Sequence, residues 1–294
     1  VTRDFWRAVG NTAIVTQAMR ALPIGTPKLM VSTLAAGNTA PYLGTKDIVM
    51  MPSIADVAGL NRLSRLIFSR AAGAICGMVE AEIEKDGSRP LVVASMFGNT
   101  TACVTEAKRI IEEAGYEVLV FAATGAGGRS MEALIESGLV AGVLDLTTTE
   151  WADELVGGVL TAGPHRMDAV AKAKVPAVIA PGCLDMVNFG ERDSVPEKFA
   201  GRQFYIHNPQ VTLMRTTPDE CAELGKIIAE KVNRYEAPAV IMIPKKGLSV
   251  ISSAGQPFYD PAADEALFQA IHAHAKVPVQ DLDEEINSPA FAKA

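Results

Sequence analysis

The chain has 294 residues, a formal charge of -7, 49% hydrophobic and 21% charged residues, the make-up of a folded globular protein with room for one large or two ordinary domains. The acidic balance speaks against a nucleic-acid surface, which needs clustered Lys and Arg, and no run of 18 apolar residues is present to cross a membrane. Four widely spaced cysteines without a C-x-x-C predict reduced thiols and a cytoplasmic setting.

In chain order, Ile14, Val15, Ala18, Met19 and Leu22 have helical spacing, and Pro23-Ile24-Gly25 ends that helix. Strands are expected over 28–33 and 47–53, separated by the small-residue loop Ala35-Ala36-Gly37-Asn38-Thr39. Asp56 is expected to cap a long helix reaching about Glu84, with Gly73 and Gly77 packed closely against another element. The polar, breaker-rich run Lys85 to Pro90 marks a boundary between a first domain, 1–86, and a second, 87–294. Beyond it, strands near 91–96, 117–122, 142–147, 177–181 and 239–243 alternate with helices near 101–114, 129–137, 150–160, 164–173 and 217–233. That rhythm predicts a parallel sheet with helices on both faces. An irregular insert at about 186–216 breaks it and reads as a lid or binding loop. Thr217-Pro218-Asp219-Glu220 then carries a full helix-start signal, and the acidic run Asp281 to Glu285 reads as a solvated or docking tail.

In a parallel sheet the strand-to-helix loops gather on one edge, where ligands bind. Three such loops share a Gly/Thr grammar. Gly98-Asn99-Thr100-Thr101 follows the first strand of the second domain and offers small residues and hydroxyls at a helix start. Thr124-Gly125-Ala126-Gly127-Gly128-Arg129 gives a backbone able to wrap an anion, with Arg129 as a bidentate partner. It lacks the third glycine of a dinucleotide fingerprint, because Ser130 stands there, and no Gly-Lys-Ser/Thr follows to make a P-loop. Thr147-Thr148-Thr149-Glu150 presents three hydroxyls and a carboxylate. The competing readings are a turn that only caps a helix for the first loop, a plain tight turn for the second, and strand-end β-propensity with an N-cap for the third. Asp145 inside a strand, Glu150, and Asp185 after Pro181-Gly182-Cys183-Leu184 are carboxylates suited to Mg²⁺ or a ribose. Lys246 can meet a phosphate as a point charge. His207 in the insert pairs with Asp185 as the candidate acid and base of an alternative reading, a hydrolase or transferase acting on a phosphorylated or carboxylated metabolite. No His/Cys/carboxylate spacing supports a zinc site.

Three strings carry a resemblance: Ala18-Met19-Arg20-Ala21-Leu22-Pro23-Ile24-Gly25-Thr26-Pro27-Lys28, Asp56-Val57-Ala58-Gly59-Leu60-Asn61-Arg62, and Pro181-Gly182-Cys183-Leu184-Asp185-Met186-Val187-Asn188-Phe189-Gly190. Thr148-Thr149-Glu150, His207-Asn208-Pro209 and Pro257-Phe258-Tyr259-Asp260 fit with them. Together they resemble the ATP-binding domain family named after a plant tobamovirus-resistance protein, whose bacterial members are uncharacterised. The resemblance implies an α/β chain of two tandem Rossmann-like domains with parallel sheets. It also implies ATP or a related nucleotide as ligand, alone or with Mg²⁺, and self-association into a homo-oligomer. Family members begin with a strand, further βα units and a Gly-Gly-rich loop ahead of the position of Gly10-Asn11-Thr12. Val1 to Val9 do not resemble that portion, so the first domain is expected to be incomplete. The combined expectation is a nucleotide in the cleft between the two domains, its phosphates on the 98–101 and 125–129 loops, with Arg129 and Lys246 as counter-charges. A third reading is a protein-interaction module that nucleotide stabilises.

Overall fold

Five runs of Val, Ile, Leu and Ala, each opened or closed by Pro, Gly or a polar turn, become strands of one sheet. The computed structural model describes residues 2–82 and 89–294 and divides the chain into two units, Val1–Ser88 and Arg89–Ala294. The stretch 85–88, on which a boundary was expected, lies outside the described residues.

The first unit holds helix α1 (Thr2–Arg20), strand β1 (Leu29–Ser32), helix α2 (Ala40–Leu43), strand β2 (Val49–Pro52) and helix α3 (Arg62–Glu80). β1 and β2 pair in parallel, Leu29 with Val49 through Ser32 with Pro52. Lys28 is buried beside this pair, and its charge is met by Asp47 at 2.7 Å and by the carbonyls of Pro23 and Thr26. The cap of α3 is Asn61, not Asp56. Asn61 Oδ1 accepts from the N–H of Leu63 and of Ser64, and Ser64 Oγ accepts from the Asn61 N–H. Gly59, at φ +81, turns the chain out of helical geometry just before it. Gly73 and Gly77 are exposed, and no atom lies within 4 Å of where their Cβ would stand, so the expected close packing is not found.

The second unit is built on β3 (Leu91–Met96), β4 (Glu117–Ala122), β5 (Val140–Thr147), β6 (Ala177–Gly182), β10 (Ala239–Pro244) and β11 (Val279–Leu282). All neighbours are parallel, in the order β11-β10-β6-β5-β3-β4. The chain is thus an α/β protein with a six-stranded parallel sheet and a second, smaller one. Side chains alternate across the large sheet with period two. Val93, Val143, Ile179, Ile241 and Ile243 enter one core with residues of α5 (Ala126–Glu136), α6 (Glu150–Val156), α7 (Asp168–Ala173), α8 (Pro218–Val232) and α9 (Pro261–His274). Val92, Ala94, Ala180 and Met242 enter another with α4 (Thr101–Glu113) and α10 (Pro289–Lys293). The helix-start signal at Thr217 is realised in full: Thr217 Oγ1 accepts from the Glu220 N–H and Glu220 accepts from the Thr217 N–H.

Two expectations change. The insert at 186–216 is not irregular: β7 (Met186–Phe189), β8 (Phe204–Asn208) and β9 (Val211–Arg215) form an antiparallel sheet in the order β7-β9-β8. Its apolar residues Met186, Leu213 and Tyr205 pack with Phe97, Cys183, Ile251 and Phe258, residues that follow strands of the large sheet, so it caps that sheet's carboxyl edge. The acidic run near 281 is not a free tail either, because β11 runs through Asp281, which His272 meets at 2.9 Å.

Candidate functional site

The strand order reverses between β3 and β5. From β3 the chain steps outward to β4, then crosses back to β5 and continues through β6, β10 and β11. Loops that leave the carboxyl ends of two strands at such a reversal diverge and open a crevice between them, the usual ligand site of an open parallel sheet. Here those loops are 97–101 and 147–150. Their floor is a closed hydrogen-bonded seam. Ser95 Oγ donates to Asp145 Oδ1 at 2.7 Å and accepts from the Thr147 N–H at 2.9 Å. Thr100 and Thr147 share a hydroxyl bond of 2.8 Å.

The Gly-rich run after β4 is not an open loop. α5 begins at Ala126, so Gly127 and Gly128 lie in its first turn. The run does bind an anion, but the anion is the protein's own. The N–H groups of Gly125 and Gly128 donate to Glu150 Oε1 at 2.6 and 3.1 Å, and Arg166 Nε donates to Glu150 Oε2 at 2.7 Å. Arg166 also grips both oxygens of Asp145 at 2.6 Å and reaches Glu132 at 3.2 Å. Glu132 in turn accepts from the N–H groups of Met167 and Ala169, both at 2.8 Å. Burial works against the Arg166 charge, but Asp145, Glu150 and Glu132 outweigh it and hold its pKa well above the ordinary value. Each glycine of the run has a packing reason. A Cβ at Gly128 would run into the Glu150 carboxylate, one at Gly127 into the Ala122 carbonyl, and one at Gly125 into the Thr161 carbonyl.

Most other expected contacts are likewise committed internally. Thr148 Oγ1 donates to the Ala180 carbonyl, and Thr149 Oγ1 accepts from Asn188. Arg129 is exposed and bonds the Thr161 carbonyl at 2.9 Å. Lys246 is exposed and paired with Asp283 at 2.9 Å. Thr124 is exposed, and its hydroxyl donates to the Ala122 carbonyl. The pair of His207 and Asp185 is not brought together by any hydrogen bond among the described residues. His207 is exposed on β8 beside the Tyr205 ring, whereas Asp185 is fully buried and accepts from Ser249 at 2.8 Å. Burial raises the Asp185 pKa, and its Oδ1 accepts no hydrogen bond among the described residues. Cys183, at φ +58, is buried with its thiol pushed well up, which is the opposite of an activated nucleophile. No group of three or more His, Cys, Asp or Glu among the described residues is placed to hold a metal ion. Arg166, Glu132 and Asp153 were missed, because no spacing in the sequence links them to Asp145 or Glu150.

The 98–101 loop differs from the others. Gly98 and Thr101 are exposed at the start of α4, a helix of 13 residues. Gly98 has no positive φ and no atom within 4 Å of where its Cβ would stand, so neither backbone nor packing calls for a glycine. Thr101 Oγ1 closes the turn on the carbonyls of Phe97 and Gly98. Asn287 reaches the same turn, accepting from the Cys103 N–H at 3.3 Å and donating to the Asn99 carbonyl at 2.9 Å.

A doubly wound α/β unit with a strand-order switch point between β3 and β5 is therefore the class of protein that the fold defines. Comparison with known sequences gives the family. The model of the N-terminal domain of uncharacterised protein family UPF0261 matches residues 8–84, and that of its C-terminal domain matches residues 89–294. The chain belongs to this family. The expectation that the N-terminal part of the family domain is missing is not borne out, since the N-terminal domain is itself matched. A UPF0261 protein of Clostridium tetani is 52% identical over 97% of this chain and 72% of its own length. One from Rhizobium meliloti is 49% identical with the same coverage. The ToMV resistance protein Tm-1(GCR237) of Solanum lycopersicum is 41% identical over 97% of this chain but only 39% of its own length. The ToMV susceptible protein tm-1(GCR26) matches equally, at 41%, so this region's likeness does not separate resistance from susceptibility. Among solved structures, an esterase domain from Rhodothermus marinus is similar at 14% identity and a TM-score of 0.37, covering 72% of this chain and 85% of that one. No helix among the described residues is long and apolar enough to cross a membrane.

Proposed function

We propose that this protein is a cytoplasmic nucleotide-binding protein, with ATP as the nucleotide to test first. Its phosphate end rests on the Gly98–Thr101 turn at the start of α4, beside the switch point. The observation that carries this is Gly98, an exposed glycine that neither φ nor packing requires, on the loop that follows β3 at the switch point. A missing side chain there lets a phosphate approach backbone N–H groups at the positive end of a helix. The 125–128 turn does not fit a phosphate, because Glu150 already takes its N–H donors. Asp145 and Glu150 are equally unsuited to Mg²⁺ or a ribose, being held by Arg166. Self-association belongs to the same reading and is supported by the exposed small-residue face of α3 at Ala72, Gly73, Cys76 and Gly77.

Calorimetric titration of ATP, with and without Mg²⁺, tests the proposal on wild type and on Gly98→Val. Wild type should bind, and Gly98→Val should keep its unfolding temperature while binding at least about tenfold more weakly, since a branched side chain bars close approach. Wild type that takes up no ATP at millimolar concentration would sink the idea. Light scattering with and without ATP reports on the oligomer.

A further inference from the structure

Asn99 is the least satisfied polar side chain of the 98–101 turn. It is 9% exposed, its Oδ1 accepts no hydrogen bond among the described residues, and its Nδ2 reaches only the Met186 thioether at 3.5 Å. A carboxamide carries two donors and an oxygen with two lone pairs, and here all but one contact of that capacity is without a partner among the described residues. The neighbours do not share this condition: Ser95, Thr100, Thr147 and Thr148 all bond through their hydroxyls. Nor is the amide required to hold the turn, because the Asn99 carbonyl already does so. That carbonyl accepts from the Val250 N–H at 3.2 Å and from Asn287 Nδ2 at 2.9 Å. A leucine of similar size would sit against Met186 with no polar group left over.

We propose that the Asn99 carboxamide is a specificity contact, reading an uncharged hydrogen-bonding group in the nucleoside part of the ligand. This rests on the nucleotide reading above. The reason for the nucleoside and not the phosphate is chemical. A phosphate only accepts, so it would satisfy Nδ2 and set its charge against the bare Oδ1. A group that both donates and accepts, such as the amino edge of a purine or a ribose hydroxyl, satisfies both ends of the amide at once. Gly98 and Asn99 therefore divide the ligand: backbone for the phosphates, side chain for the nucleoside.

The test compares ATP with inorganic tripolyphosphate, which has the phosphates and no nucleoside, by calorimetry on wild type, Asn99→Leu and Gly98→Val. Thermal unfolding of each is measured alongside. Asn99→Leu should unfold at the wild-type temperature or higher, bind ATP about tenfold more weakly and bind tripolyphosphate unchanged. Gly98→Val should lose both ligands. If Asn99→Leu folds poorly, Asn99→Ser carries the same comparison of the two ligands. An ATP-to-tripolyphosphate preference unchanged in the Asn99 variants overturns the assignment while leaving nucleotide binding intact. Wild type that binds neither ligand overturns the nucleotide reading, and this assignment with it.

Discussion

Replacing Arg166 by Met removes one cation from among two buried carboxylates, Asp145 and Glu150, and the half-buried Glu132, and keeps much of the side-chain volume. The Arg166 side chain is 1% exposed, and those of Asp145 and Glu150 are both 0%. Its removal costs Asp145 two bonds of 2.6 Å, leaving it the Ser95 hydroxyl, and costs Glu150 one of 2.7 Å, leaving it the N–H groups of Gly125 and Gly128. Breaking one buried ion pair by deleting a partner costs roughly 3–5 kcal/mol, and here several carboxylates share the deleted partner, so about 3 kcal/mol is the least expected. For a unit of this size each kcal/mol lowers the midpoint by about 2–4 °C, which makes the fall at least about 6 °C. Burial already raises the Glu132 pKa, so protonation relieves the stranded carboxylates as pH falls, and the loss should be smaller at pH 5 than at pH 8. Urea unfolding of the full chain, followed by tryptophan fluorescence, measures it through Trp151, which sits in the large core of the second unit. Adding Asp145→Asn to Arg166→Met should recover about 1–3 kcal/mol relative to the sum of the single changes. A single-variant loss under about 1 kcal/mol, or simple additivity in the pair, would refute the view that the Gly-rich turn and its charges are one structural unit.

Two further outcomes follow from the same region. Gly128→Ala places a methyl against the Glu150 carboxylate and should cost about 1–3 kcal/mol, whereas Gly98→Ala, with open space around it, should change stability by less than about 0.5 kcal/mol; equal effects in thermal unfolding would contradict the division between the two turns. Burial pushes the Asp153 carboxyl from its ordinary 3.8 up to about 7, against the pull of bonds from Asn188 and Leu160. A folded pKa above the unfolded one means the folded state holds the proton more tightly. This contribution is therefore full below about pH 4 and is lost as pH rises through about 7. Between pH 5 and 8 it amounts to about 2–3 kcal/mol at most. Asp153→Asn should be less stable throughout but show a flatter dependence of urea midpoint on pH, and a slope equal to wild type would remove Asp153 as its source.

Much of the fold was legible because its signals are local. The five strand runs and the helix starting at Thr217 are written in apolar period and capping chemistry, and they appear within a few residues of where the spacing put them. The cap of α3 was misplaced by five positions because Asp56 and Asn61 are both good caps, and only the turn at Gly59 decides between them. The antiparallel sheet of the insert was hidden because its strands are short and β7 pairs with β9, skipping its neighbour in sequence, β8. At the site, the sequence marked the right edge of the sheet but not the occupants of its loops. Glu150 and the Gly125–Gly128 turn were each picked as ligand contacts, and they turned out to be each other's ligand.

The chain's own residues therefore determined the α/β class, the strand sequence of the second unit and the carboxyl edge as the place to look. They did so because burial period, caps and glycine turns act over a few residues. Tertiary structure alone decided which Gly/Thr turns are free. Whether a backbone N–H faces solvent or a buried carboxylate depends on residues 16 to 34 positions away, such as Arg166 bridging Glu150 and Glu132 and Glu150 reaching Gly125. A Gly-rich turn filled by the protein's own carboxylate and one with open space beside it read alike along the sequence, and only packing tells Gly128 from Gly98.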